Sequence, residues 1–267
     1  MPSGNGDIGI NLWVEKNGDL LFYLSKTDAW SENARLLKIG KVRLALSPNP
    51  FVEGNPFLQE LIVEDGLIHI EVGEEGNKTD INVWVDANHP VVEIDVTSER
   101  AISANVTTEP WRTQRRKLEK TKEMHSAYGL LGEGGPETYV EKDSILTENS
   151  DDVVWVHRNE RSIWKQNLEL QSLAEFANQN QGQDPLLHRT FGALIHSDEL
   201  EKESDEQLST IRPVKKFSTS VFVLTAQTKV LQDWVDQITS IAFSVEPESR
   251  PERLNAHKNW WNSYWDR

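Results

Sequence analysis

Residues Gly4–Trp30 read GNGDIGINLWVEKNGDLLFYLSKTDAW, and their spacing decides the fold class. Ile8, Ile10, Leu12 and Val14 recur at period two, the repeat of a half-buried strand. Asn17-Gly18 follows, a pair selected by the type I′ turn because both central residues of that turn need positive φ. Leu20–Leu24 is apolar and aromatic and reads as the return strand. On this reading two polar loops, GNGD before the hairpin and SKTDAW after it, share one end. That end is the place to look for a site.

The same grammar continues outward. Lys41–Leu46 alternates and is stopped by Ser47-Pro48-Asn49-Pro50. Leu58–Val63 and Leu67–Val72 flank the turn signal Glu64-Asp65-Gly66. Asp80–Val85 and Val91–Val96 flank Ala87-Asn88-His89-Pro90, and Ile102–Val106 reads as a further strand. Short strands at even spacing are the signature of a sandwich or barrel. From Glu109 to Ser150 the pattern breaks: WRTQRRKLEKTKEMH is highly charged, and GLLGEGGPETY reads as loop. Asp152–Trp155 resumes a strand and delivers Val156-His157-Arg158-Asn159. Ile163–Phe176 is ambiguous between strand and helix, and Gln179–Asp184 is a polar loop. Leu186–His196 and Lys216–Leu224 are strands separated by the acidic loop Asp198–Gln207.

Near the C-terminus the period changes. Val230, Leu231, Trp234, Val235, Ile238, Ile241 and Ala242 recur at helical spacing. Ser249-Arg250-Pro251-Glu252 then has the form of a capping box opening a last helix. Leu254, His257, Trp261, Tyr264 and Trp265 form one stripe of it, widened by Trp260. So aromatic a face needs a cover. The expected fold class is therefore mainly β, an antiparallel β-supersandwich at 1–226 with a helical segment at 227–267.

Composition narrows the function. The 267 residues carry a formal net charge of -15, which makes nucleic acid and anionic membrane poor partners. With no cysteine, disulfide and thiolate chemistry are excluded. The seven histidines show no HExxH and no close pair at metal-ligand spacing, and neither a GxSxG elbow nor a phosphate loop is present. No metal or cofactor is expected. Ten tryptophans are many for this length. Core packing accounts for most indoles, and an exposed one suits the apolar face of a sugar ring.

GNGDIGINLWVEKNGDLLFYLSKTDAW and RLLKIGKVRLALSPNPF closely resemble the N-terminal domain of a bacterial family described as domain of unknown function 5703. So do WVDANHPVVEIDV, VVWVHRNERS, HRTFGALI, FSTSVFVLTAQT and HKNWWNSYWDR. That family is similar in architecture to glycoside hydrolases built from an N-terminal β-supersandwich, a helical linker and an (α/α)6 catalytic barrel, including family 95 α-L-fucosidases. The resemblance implies a chain cut at both ends, with a helical domain to follow residue 267. It implies export for the full-length relatives, although the chain as written carries no export signal.

Glycoside hydrolysis needs two carboxylates flanking the bond. Among 43 acidic residues no pair stands out, and in the resembled enzymes those groups belong to the barrel, so no catalytic residue is assigned. The substrate-binding candidates are Asn5, Asp7, Asp28, Trp30, His157, Arg158 and Asn159, with Trp111 as a further stacking surface. Each has a structural counterpart reading: turn and cap duty for Asn5, Asp7 and Asp28, packing for the tryptophans, and an internal polar network for His157, Arg158 and Asn159. Trp260, Trp261 and Trp265 are the candidate interdomain interface. The expected function is a non-catalytic front module of a carbohydrate-active enzyme, with an oligo- or polysaccharide and the helical domain as partners. The alternative is a free-standing carbohydrate-binding protein.

Overall fold

A computed structural model of the chain describes residues 1–118, 127, 137–147, 151–180, 183–245 and 248–267. Its strands run in chain order β1 Pro2–Gly4, β2 Ile8–Val14, β3 Leu20–Trp30, β4 Leu36–Ser47, β5 Phe57–Ile62, β6 Leu67–Val72, β7 Thr79–Val85 and β8 Val91–Thr108. They continue as β9 Arg116–Lys117, β10 Tyr139–Val140, β11 Ser144–Leu146, β12 Val153–Arg158, β13 Arg189–His196, β14 Glu201–Ser204, β15 Gln207–Ser209 and β16 Val214–Gln227. The helices are α1 Trp164–Leu170, α2 Ala174–Gln179, α3 Leu231–Val245 and α4 Arg250–Trp265. No described helix is long and apolar enough to cross a membrane. Residues 129–136 of GLLGEGGPETY, 119–125 of WRTQRRKLEKTKEMH and 181–182 of the polar loop lie outside the described residues.

Apart from the small β9–β10 pair, the pairing is antiparallel and forms two layers. One has the order β1-β2-β3-β4-β8 with β15 and β14 beyond, and the other β5-β6-β7-β8-β16-β13-β12-β11. Their inner faces share one core in which Leu12, Phe22 and Val42 meet Ile81, Val92, Phe191 and Val221. Trp155 reaches across it and donates its indole hydrogen to the Ile39 carbonyl (3.2 Å). This is a mainly β, antiparallel supersandwich.

Strand β8 belongs to both layers. Residues 91–98 pair with β7 and β16, and Ile102 still pairs with Val214 of β16, whereas 103–108 pair with β4 and, within them, 105–107 with β15. The sequence reading split it into two strands because Thr97–Ala101 is polar. Yet Val92, Ile94, Val96, Ile102, Ala104 and Val106 are all buried. The buried even-numbered positions therefore keep their phase across the polar crossing, interrupted only at exposed Arg100.

Three other expectations are corrected. The first hairpin does not close on a type I′ turn. Gly18 donates its N–H to Glu15 O (2.9 Å) and Glu15 to Asp19 O (2.8 Å), and of the pair only Gly18 has positive φ (87°). This is a three-residue loop, a type I turn ended by a glycine bulge, and it uses the glycine alone. SKTDAW is not a loop but the far half of β3: Thr27 is exposed and Asp28 part-exposed, Lys26 is largely covered, and Ala29 is buried. The acidic stretch Asp198–Gln207 contains the hairpin β14–β15, which extends the layer at β8. Charged side chains suit a short edge strand of this kind. The ambiguous stretch Ile163–Phe176 is helical, forming α1 and the start of α2.

The outer face of the second layer is covered by helices. Trp234, Ile238, Ala242 and Val245 of α3 pack on Val91, Val154, Val156, Leu194 and Phe222. Helix α4 starts with the expected capping box, Ser249 and Glu252 each accepting from the other's backbone N–H. It lies back on the β domain. His257 is buried against Trp84 (ring centroids 5.0 Å apart), and Trp265 donates to Val63 O (2.8 Å).

Candidate functional site

Of the candidate residues, Asp7, Asp28 and Trp30 come together along the far half of β3. Asp7 faces Thr27 across β2 and β3, and its carboxylate accepts from the Thr27 hydroxyl (2.6 Å) and pairs with Lys26 (3.0 Å). Lys26 also holds Asp28 (2.9 Å). Arg189 donates to the Asp28 carbonyl (3.0 Å), and Trp30 beside it is 39% exposed. Although partial burial opposes it, hydrogen bonds from Thr27 and Lys26 and the lysine charge hold the Asp7 pKa below its ordinary value. Asp7 is thus an ionised carboxylate, poorly suited to giving up a proton as a general acid.

Asn5, Arg158 and Asn159 serve the scaffold beneath this rim. Asn5 accepts from the Asp7 and Ile8 amides (3.0 and 2.8 Å) and donates to Asp86 O (2.7 Å). Asn159, wholly buried, donates to the Trp30 and Leu186 carbonyls (both 2.9 Å), so it fixes the strand that displays the indole. Arg158 binds Thr190 Oγ1 (2.8 Å) and the Thr228 and Lys229 carbonyls (both 3.0 Å), tying β12 to the entrance of α3. The side chains of this rim left part-exposed are those of Asp7, Asp28 and Trp30. Trp111 is exposed away from this group, edge-on to Tyr23 (5.7 Å).

His157 lies deeper, stacked on Phe191. Its Nδ1 faces Asp143 Oδ1 (3.0 Å) and its Nε2 faces Glu32 Oε2 (3.1 Å). Both partners are acceptors, so the ring carries a hydrogen on each nitrogen. Burial works against that charge, but the Asp143 and Glu32 hydrogen bonds outweigh it and the pKa is raised, with Arg112 opposing. Arg112 in turn donates to Asp143 (2.8 Å) and to the Lys38 carbonyl (2.9 Å). The network knits together Glu32, β4, Arg112, Asp143 and β12 among buried side chains.

A second set of buried charges, invisible in the local sequence, positions α4. Glu93 is fully buried and pairs with both Arg253 and Arg250 of α4, while accepting from Ser220 (2.7 Å). Asp86, also fully buried, accepts from the Asn88 amide (2.8 Å) and faces His89 (3.0 Å) and Arg253 (3.7 Å). Asp86 thereby links the GNGD turn to the helix. Beyond it, Asn88 and His89 with Asn259, Trp260, Ser263 and Tyr264 border an open groove of about 530 Å³. Trp260 and Tyr264 stack there, 5.7 Å apart and 7° from parallel, and Trp265 is 52% exposed. Trp261 instead turns inward over Gly66.

The fold and these buried networks define a β-supersandwich module with a helix bolted to its outer face. The sequence model of the family described as domain of unknown function (DUF5703), for its N-terminal domain, matches residues 1–267, and the chain belongs to that family. No curated protein matches it. Among solved structures, a chain assigned as a kojibiose phosphorylase from human microbiome is similar at TM-score 0.45 and 8% identity, over 98% of this chain and 35% of that one. The present chain thus spans about a third of that protein's length.

Proposed function

We propose that the chain is a non-catalytic module of a carbohydrate-active protein, which presents its aromatic helix face to a neighbouring helical domain and helps shape a sugar cleft there. The observation that carries this reading is the rigid display of Trp260, Tyr264 and Trp265. Buried ion pairs clamp α4 on one side while these rings stay open on the other. Exposed aromatic clusters held this firmly mark recognition surfaces. The rim of Asp7, Asp28 and Trp30 would contribute further sugar contacts. The Asp86 turn joins the two regions, so both would line one cleft.

A second reading is favoured by the stacked pair itself. Parallel rings bordered by Asn88, His89 and Asn259 offer an apolar face with hydrogen-bonding groups at its edge, the ingredients of a sugar subsite. The chain would then bind a glycan unaided. Sedimentation and titration with a panel of oligosaccharides separate the two. As a docking module, the chain self-associates, and Trp260→Ser with Trp265→Ser makes it monodisperse without any glycan affinity being lost. As a free-standing binder, it is monomeric and binds one glycan class, and Trp260→Ala abolishes that binding. A monodisperse chain that binds no glycan defeats both.

A further inference from the structure

The outer face of the second layer carries a cluster that neither reading uses. Ile68, Ile70, Ile81 and Val83 point into the core, so the alternate residues His69, Glu71, Asp80 and Asn82 share the opposite face. Strand pairing sets His69 against Asn82 and Glu71 against Asp80. The ligand atoms of His69, Glu71 and Asp80 all lie within 4.8 Å of one another. We propose that these three side chains form a binding site for a first-row transition dication, with Zn²⁺ as its representative.

The second shell supports the assignment. His69 Nδ1 stands 2.9 Å from the Asn82 side-chain oxygen. An amide oxygen only accepts, so Nδ1 carries the hydrogen and the lone pair is left on Nε2. A metal-binding histidine is normally oriented by such a partner on its other nitrogen. Nε2 lies 3.9 Å from Asp80 Oδ1. That is too long for a hydrogen bond and near the ~3.4 Å that separates two ligands on a tetrahedral zinc with bonds of about 2 Å. An imidazole beside two carboxylates favours a transition dication over Mg²⁺ or Ca²⁺, which take oxygen donors. Lys78, 2.5 Å from one Glu71 oxygen, is the resident cation. It leaves the other oxygen for the metal, and its ammonium competes with the ion for the site.

The test is calorimetric titration of the tag-free chain, stripped with a chelator, with ZnSO4. One saturable site is expected, with no comparable heat from MgSO4. Asn82→Ala should weaken binding by roughly 10- to 100-fold, as loss of an outer-shell partner does, and His69→Gln should abolish it. Lys78→Met should tighten it. These residues are part-exposed, so the variants should melt like the parent in chelator. Zn²⁺ should then raise the melting temperature of the parent and not that of His69→Gln. Absence of saturable binding overturns the proposal, as does binding that survives His69→Gln or Asp80→Asn.

Discussion

Gly66 and Trp261 fit so closely that a β-carbon at residue 66 would stand 2.1 Å from the indole nitrogen. Gly66 also has φ at 61°, where other residues are strained. Gly66→Ala should therefore cost about 2–4 kcal/mol, from the left-handed backbone and the clash together, measured by urea unfolding. Adding Trp261→Ala should recover the clash component and leave the backbone component.

Removing one partner of a buried ion pair strands the other. Arg253→Met leaves Glu93 buried with Arg250 alone. A loss of about 3 kcal/mol, at the low end for such pairs, is expected. Release of α4 should appear as new proteolytic cleavage after residue 248 while the sandwich core stays protected. Uniform loss of protection instead would mean that the helix does not undock as a unit.

The two buried histidines should answer pH in opposite senses. Raised in the folded state, the His157 pKa gives a contribution that is complete below the unfolded value and is lost as pH rises through the folded one. For His257 the sign is reversed. Its Nδ1 accepts from the Ala87 amide (3.1 Å), and burial lowers its pKa against weaker opposing effects from Gly66, Asp86 and Asp65. That contribution is complete above the unfolded value near 6.5 and is lost as pH falls below it through the lowered folded value. Stability should peak near neutrality. His157→Gln should flatten the alkaline limb and His257→Gln the acid limb. Imidazole NMR at pH 7 should show His157 doubly protonated and His257 neutral.

Asn159→Leu would leave the Trp30 and Leu186 carbonyls without their buried donor. The expected cost is about 1–3 kcal/mol, read as a lower melting temperature. Trp30→Ala should cost less, since the ring is already part exposed.

Where a pattern is local, the sequence carried it. Alternating runs located β2, β4, β6 and β7, a continuous apolar run located β12, and Ser249-Arg250-Pro251-Glu252 located the start of α4, because such patterns are satisfied within a few residues. SKTDAW was misread because its polar residues pair across and along the strand and do not mark a turn. The site was half legible. Polar residues at strand ends supplied the candidates, yet Asn5, Arg158 and Asn159 are polar there to bind carbonyls. Glu93 with Arg253, and Glu32 with His157, are partners far apart in the chain. Charge alone gives no sign of which acid among 43 is buried. His69, Glu71 and Asp80 likewise converge only once β6 and β7 are in register.

Because Val91–Thr108 is a member of both layers, neither can peel away as a separate leaf. Pulling β7 from one layer strips residues 91–98 and loosens the grip of β4 on 103–108 along the same covalent rod. The deepest hydrogen-exchange protection should therefore run along β8, with both ends exchanging only by global opening. A rim and a helix at different places on the molecule are thus mounted on one shaft.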